Sequence, residues 1–227
     1  GPGRGQIDES GLPLLRREGL SHPTDVRGSD ARGFLGGRID LIPHQLSIAH
    51  EVSTRHEPRV LLADEVGLGK TIEACLILNQ MIVCGRVNRV FILLPNSLVN
   101  QWFIELLRRF NLWFSIFDEE RCCAIENSQP GFNPFEDDQL LIADIDWLSQ
   151  STKRMEQAVQ APWDMLIVDE AHHLEWNSEK PSAKYQLTQA LGQSAGPLLI
   201  ISATPQQFGP VSYNTLTPHN QRQGERT

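Results

Sequence analysis

The sequence lacks any uninterrupted apolar run near the ~20 residues that a membrane-spanning helix requires, so we expect no membrane association. The glycine-rich first residues lack the apolar core of a signal peptide, which favours a cytoplasmic location. The 4 cysteines form no C-x-x-C pair and no metal-ligand spacing, which argues against a disulfide framework. With a net charge of −8, the chain also lacks the basic excess of a protein that coats nucleic acid uniformly.

What is present suits one folded domain, since 227 residues carry 40% hydrophobic and 21% charged side chains. The acidity is local, because residues 115–180 hold 15 of the 28 Asp and Glu but 4 of the 20 Lys and Arg. A nucleic-acid-facing surface elsewhere therefore stays compatible with the charge. We expect a flexible leader or linker remnant over 1–37, a globular lobe over 38–208 and an unstructured tail over 209–227.

Short apolar runs alternate with helical patterns along the lobe. The runs are 60–63, 90–94, 114–117, 140–143, 165–168 and 198–201. We expect helices from Lys70 to Val83 and from an N-cap at Ser97 through Arg109, and a long acidic loop over 118–138. Strands that are apolar on both faces and separated by helices predict an α/β fold with a mostly parallel sheet covered on both sides.

A glycine-containing loop lies between the first predicted strand and the helix that follows it. Its residues are Asp64, Glu65, Val66, Gly67, Leu68, Gly69, Lys70 and Thr71. Such a loop turns backbone N–H groups toward a phosphate chain, with Lys70 on the β- and γ-phosphates and the Thr71 hydroxyl on Mg²⁺. The pattern G-x-x-x-x-G-K-[ST] is incomplete, because Asp64 stands where its first glycine belongs. A glycine-containing helix cap is the alternative.

An acidic pair, Asp169 and Glu170, follows a buried apolar strand. At the carboxyl end of a parallel strand, such side chains face the crevice where ligands bind. Asp169 is then a candidate Mg²⁺ ligand, and Glu170 a candidate base for the attacking water. A solvated helix start is the alternative, which an ordered phosphate loop upstream disfavours.

Three stretches in order, 64–71, 169–172 and 202–205, resemble the first, second and third motifs of superfamily-two helicase-like ATPases. The Asp-Glu before Gly-Leu-Gly-Lys-Thr is typical of the Swi/Snf branch. Further stretches resemble its bacterial RNA polymerase-associated members, and they are 41–45, 59–62, 107–112, 133–136 and 169–174. The resemblance covers about residues 33–208.

This resemblance implies a RecA-like P-loop lobe of a nucleic-acid-dependent ATPase that uses ATP and Mg²⁺. It implies DNA or RNA as a partner, RNA polymerase as the partner of the full-length protein, and a monomer. Gln45 matches the glutamine that recognises adenine, although by itself it reads as a polar residue on a helix. The positions that match nucleic-acid contact or coupling residues are Asn96, Ser97, Gln101, His172, Ser202 and Thr204. For residues 95–102, an ordinary helix cap with Trp102 in the core is the alternative.

We expect the chain to depart from the family pattern by lacking the second RecA-like lobe, which supplies arginine fingers in family members. Since such fingers contribute ~10³–10⁵ in rate, we expect this chain to bind Mg-ATP but to hydrolyse it poorly. Two other functions stay open from the sequence. One is a DEAD/DEAH-type RNA helicase lobe, and the other is a non-catalytic module that binds nucleic acid or polymerase.

Overall fold

A computed structural model describes residues 43–63, 69–171 and 182–202. Within them, six strands form one fully parallel sheet in the order β1-β6-β5-β2-β4-β3. The strands are β1 (Arg59–Ala63), β2 (Val90–Leu94), β3 (Ser115–Phe117), β4 (Leu140–Asp144), β5 (Met165–Val168) and β6 (Leu198–Ser202). The predicted α/β fold with a parallel sheet is confirmed.

Seven α-helices cover the sheet in the described residues. They are α1 (Pro43–Thr54), α2 (Lys70–Val83), α3 (Asn96–Phe110), α4 (Glu119–Ser128), α5 (Ile145–Ser149), α6 (Thr152–Gln160) and α7 (Ala183–Ser194), and a 3₁₀ turn spans Pro134–Glu136. Helices α1–α3 pack on one face and α4–α7 on the other. The strand side chains explain this, since Val90 and Ile92 enter the first core and Phe91 and Leu93 the second.

Two local predictions are wrong. Ser97 is not the N-cap of α3, because the helix begins one residue earlier and Pro95, with φ −61° and ψ 147°, is its cap. Proline fixes φ and has no N–H to satisfy, so it suits a helix start. The expected acidic loop over 118–138 contains α4, whose N-cap Asp118 accepts a hydrogen bond from the Arg121 N–H at 2.9 Å. Asp118, Glu119 and Glu120 are therefore cap and first-turn residues, which the helix dipole favours.

Two further features concern the described helices and the thiols. None of the helices within residues 43–63, 69–171 and 182–202 is long and apolar enough to cross a bilayer. All 4 cysteines are free thiols, with Cys75 and Cys122 buried.

Candidate functional site

A cleft of about 320 Å³ opens at the carboxyl edge of the sheet. One side comes from the start of α2, with Gly69, Lys70 and Thr71, and the facing side from the end of β5, with Asp169 and Glu170. The order β6-β5-β2 places β5 beside the strand that leads into α3, whose side chains form a third wall. The structure therefore brings together the described end of the predicted phosphate loop and the acidic pair, which are about 100 residues apart.

The N-terminus of α2 is shaped by Gly69. This residue has φ 85° and ψ 30°, in the left-handed region that side chains disfavour. A Cβ here would also run into the amide nitrogen of Gln45, which is buried on α1. The N-cap Gly69 has no side chain to cap this 14-residue helix, and a helix N-terminus directs backbone N–H groups toward a bound anion. The site fits a phosphate group, with the Lys70 ammonium at the same helix end.

Asp169 is the most constrained carboxylate of the cleft, with 7% of the residue exposed. Its backbone N–H donates to the Leu93 carbonyl of β2 at 2.9 Å. Its side chain accepts from two directions. The Trp102 indole N–H donates to Oδ2 at 2.7 Å, and the Glu170 backbone N–H donates to Oδ1 at 2.7 Å. Each oxygen keeps a lone pair that can meet a cation.

Burial raises the pKa of Asp169 above its ordinary range. The Trp102 and Glu170 hydrogen bonds and the Lys70 ammonium oppose this rise in pKa, whereas the Glu170 carboxylate adds to it. A desolvated carboxylate gains most from a bound cation. No group of three His, Cys, Asp or Glu that could hold a metal occurs in the described stretches. Mg²⁺ typically binds one or two carboxylates together with waters and substrate phosphates, so a single carboxylate such as that of Asp169 can take part in its site.

Glu170 follows with φ 52°, a left-handed backbone that costs a non-glycine residue roughly 1–2 kcal/mol. Its side chain is partly exposed and lines the cleft. Such strain persists where the surrounding structure enforces it, and it concentrates at functional sites. The conformation lets one residue donate its N–H to Asp169 while its own carboxylate reaches the cleft.

The α3 wall contains residues that the motifs do not assign, namely Trp102, Glu105 and Arg109, beside the predicted Gln101. Arg109 and Glu105 form an ion pair on this helix. The i, i+4 spacing of Gln101, Glu105 and Arg109 marks one polar face next to the apolar one. This spacing can be recognised in the sequence and predicts a polar face of α3, but it does not indicate that this face lines the cleft.

The predicted nucleic-acid residues within the described part of the chain are divided among three places. Asn96 and Ser97 are exposed at the start of α3, and Asn96 lines a second cavity of about 400 Å³ with Asp118 and Asp144. Gln101 instead lines the cleft. Ser202 is buried at the end of β6, in register with Ala63 of β1.

Asp144 has a local role as the N-cap of α5. It caps α5 by accepting from the Asp146 and Trp147 N–H groups at 2.9 and 3.4 Å. Several other predicted site residues lie outside the described residues, and they are 64–68, His172 and Thr204.

Comparison with known families gives a match over residues 44–216 to the SNF2-related domain. The chain is 51% identical over 209 residues to the RNA polymerase-associated protein RapA of Vibrio atlanticus, covering 92% of this chain and 21% of that protein. RapA of Vibrio cholerae is 52% identical over the same shares. The chain therefore spans about a fifth of the length of the curated relatives that it matches.

Two solved structures share the fold. The SWI2/SNF2 ATPase core of Sulfolobus solfataricus, in complex with dsDNA, superposes with a TM-score of 0.65 at 19% identity, over 81% of this chain and 37% of that chain. The Hef helicase domain of Pyrococcus furiosus superposes with a TM-score of 0.56 at 20% identity, over 77% of this chain and 35% of that one.

Proposed function

The chain belongs to the SNF2-related family, and on that premise we propose that it is the ATP-binding motor lobe of an enzyme that couples ATP hydrolysis to movement along nucleic acid. The observation that carries this proposal is that Lys70, at the N-terminus of α2, and the buried carboxylate of Asp169 line the same cleft. Phosphoryl transfer requires a cation that binds the phosphates next to a carboxylate that can bind the metal, and Lys70 and Asp169 are suited to these two tasks.

The nucleotide is held by the chain's own groups. The N–H groups at the start of α2 and the Lys70 ammonium bind the β- and γ-phosphates. Gln45 contacts the adenine, since an amide both donates to and accepts from its edge. Its burial beside Gly69 supports a place next to the phosphate loop. Residues 64–68, which complete the predicted loop, lie outside the described residues.

Thr71 and Asp169 are the residues that hold Mg²⁺. The metal ion, when bound, neutralises charge on the β- and γ-phosphate oxygens during transfer. Glu170 orients the attacking water and accepts its proton. Its strained backbone and its position on the cleft wall support that role.

Nucleic acid and RNA polymerase are the proposed partners of the whole protein. The structural neighbour solved with dsDNA supports DNA as a partner, and the RNA polymerase-associated RapA relatives support RNA polymerase. We propose that the motor recycles this polymerase. We propose contacts or coupling through Asn96, Ser97, Gln101 and Ser202, and through His172 and Thr204 outside the described residues. A monomer in the bacterial cytoplasm completes the proposal.

We expect this chain alone to hydrolyse ATP slowly. The arginine that lines the described cleft, Arg109, is ion-paired with Glu105. Family members receive arginine fingers from a second lobe, and these contribute ~10³–10⁵ in rate. Phosphate release measured with and without duplex DNA checks this expectation. Fast, DNA-stimulated turnover that Lys70→Ala abolishes would contradict it.

Titration of the chain with a fluorescent ATP analogue, with and without Mg²⁺, tests nucleotide binding directly. We expect Mg²⁺-dependent binding that Lys70→Ala removes. Lys153→Ala is the matched control, because Lys153 pairs with Glu126 on the surface of α4 and should leave binding intact. Wild-type protein that binds no nucleotide would overturn the proposal and favour a non-catalytic binding module.

A further inference from the structure

Trp102 is a buried tryptophan with an unusual acceptor. The residue is 1% exposed on α3, yet its indole N–H donates at 2.7 Å to Asp169, 67 positions further along the chain. Trp163 shows the ordinary solution, because its indole N–H donates at 2.8 Å to the backbone carbonyl of Ala158, five residues away. A buried indole needs one acceptor, and a local carbonyl is sufficient. Trp102 instead reaches a carboxylate in the wall of the cleft.

The Asp169 carboxylate is fixed by donors from two elements. Glu170 belongs to the same strand end and donates to Oδ1, whereas Trp102 belongs to α3 and donates to Oδ2. With one donor alone the carboxylate could rotate about its Cβ–Cγ bond, but with two its plane is set. The remaining lone pair of each oxygen is then directed before any cation arrives.

We propose that Trp102 is a positioning residue for the Mg²⁺ site, setting the orientation of Asp169 through its indole N–H. This inference rests on the proposed function, in which Asp169 holds Mg²⁺. Partners that orient a metal ligand usually change metal affinity 10–100-fold when they are removed. Because the proposed effect of Trp102 is exerted through Asp169, nucleotide binding without metal should be independent of Trp102.

The test compares Trp102→Phe with Trp163→Phe, each titrated with Mg²⁺ at a fixed concentration of fluorescent ATP analogue. Both variants remove one buried indole N–H and keep an aromatic ring, so general losses of packing appear in both. We expect the half-saturating Mg²⁺ concentration to rise about 10- to 100-fold in Trp102→Phe and to stay at the wild-type value in Trp163→Phe. Metal-free binding of the analogue should be the same in all three proteins.

An unchanged half-saturating Mg²⁺ concentration in Trp102→Phe would overturn the inference while leaving the proposed function intact. A wild-type chain that binds no nucleotide would overturn both. Thermal melting confirms that each variant is folded.

A second measurement on the wild type covers the case in which Trp102→Phe does not fold. The 5 tryptophans of the chain give separate indole ¹H–¹⁵N resonances. Adding Mg²⁺ to the nucleotide-bound protein should shift the Trp102 resonance and leave that of Trp163 in place, because the metal withdraws charge from the accepting carboxylate. A Trp102 resonance that does not respond to Mg²⁺ would overturn the inference.

Discussion

Carboxylates within the same acidic stretch, residues 115–180, are held in two opposite ways. Asp169 accepts from the neutral Trp102 indole and a backbone N–H, and burial raises its pKa. On the other face of the sheet, Glu119 and Glu126 of α4 bind the Arg154 guanidinium of α6. We call Arg154, Glu119 and Glu126 the Arg154 network.

The Arg154 network satisfies its own charges. Arg154 has 2% of its side chain exposed and donates to Glu119 at 3.0 and 2.6 Å and to Glu126 at 2.7 Å. Its hydrogen bonds lower the pKa of Glu119 and, with Lys153 and Gln157, lower that of Glu126 to about 2. The network therefore joins α4 to α6 with the charges paired inside the protein.

This contrast distinguishes carboxylates that stabilise the fold from a carboxylate that is available to bind a ligand. A carboxylate with a depressed pKa already has its cation, whereas one with a raised pKa, held in place by neutral donors, is in a state that an added cation would stabilise. The two classes cannot be distinguished by counting acids over residues 115–180, because both contribute to the same local negative charge.

Arg154→Ala should have the largest effect on folding. Removing one partner of a buried pair leaves the others uncompensated, which typically costs 3–5 kcal/mol, and half-exposed Glu119 places this case near 3 kcal/mol. Denaturant unfolding measures the loss, and binding of the ATP analogue should stay at the wild-type level. A variant that keeps its stability would show that the Arg154 network is not structural. A folded variant that loses nucleotide binding would show that the network also affects the cleft.

Acidification should weaken the Arg154 network next. The folded pKa of Glu126 is about 2 against an ordinary 4.5, so its contribution is fully present above 4.5 and lost as pH falls toward 2. We expect the stability difference between wild type and Glu126→Gln to shrink steadily across that window. A difference that is constant from pH 6 to pH 3 would show that the carboxylate charge contributes nothing.

Asp169→Asn should change stability in the opposite direction. The raised pKa means that ionised Asp169 destabilises the fold above its ordinary pKa, and an amide oxygen can still accept from Trp102. We expect a modest rise in Tm, smaller than the fall caused by Arg154→Ala, together with loss of Mg²⁺-dependent nucleotide binding. A lower Tm would mean that the charge is structural after all.

Arg121→Ala should have the smallest effect on stability. It serves as a control in which the lost ion pair is exposed and not buried. Arg121 pairs with Asp138 at 2.6 Å, but 39% and 37% of these side chains are exposed. Exposed pairs contribute about 0.2–1 kcal/mol and are screened by salt. The loss measured in low salt should decrease in 0.5 M NaCl, unlike the loss from Arg154→Ala.

Much of the fold followed from local pattern. The helix from Lys70 to Val83 has the predicted ends, and the run over 165–168 is β5 itself. Periodicity and apolar runs act over a few residues, so they can be read without knowing the partners. The prediction of an acidic loop over 118–138 was wrong because a local pattern does not reveal distant partners. The acids of this stretch cap α4 and pair with Arg154, which lies 28–35 positions further along the chain.

The sequence by itself determined the α/β class, the family resemblance and the candidate phosphate-binding and acidic residues, because each depends on neighbours in the chain. Only the tertiary structure decided what those residues meet. Gln45 lies against Gly69, and Trp102 reaches Asp169, because parallel pairing of β2 with β5 brings α3 over the end of β5. Strand order is a property of the whole sheet, and no local pattern of residues encodes which helix lies above a given carboxylate.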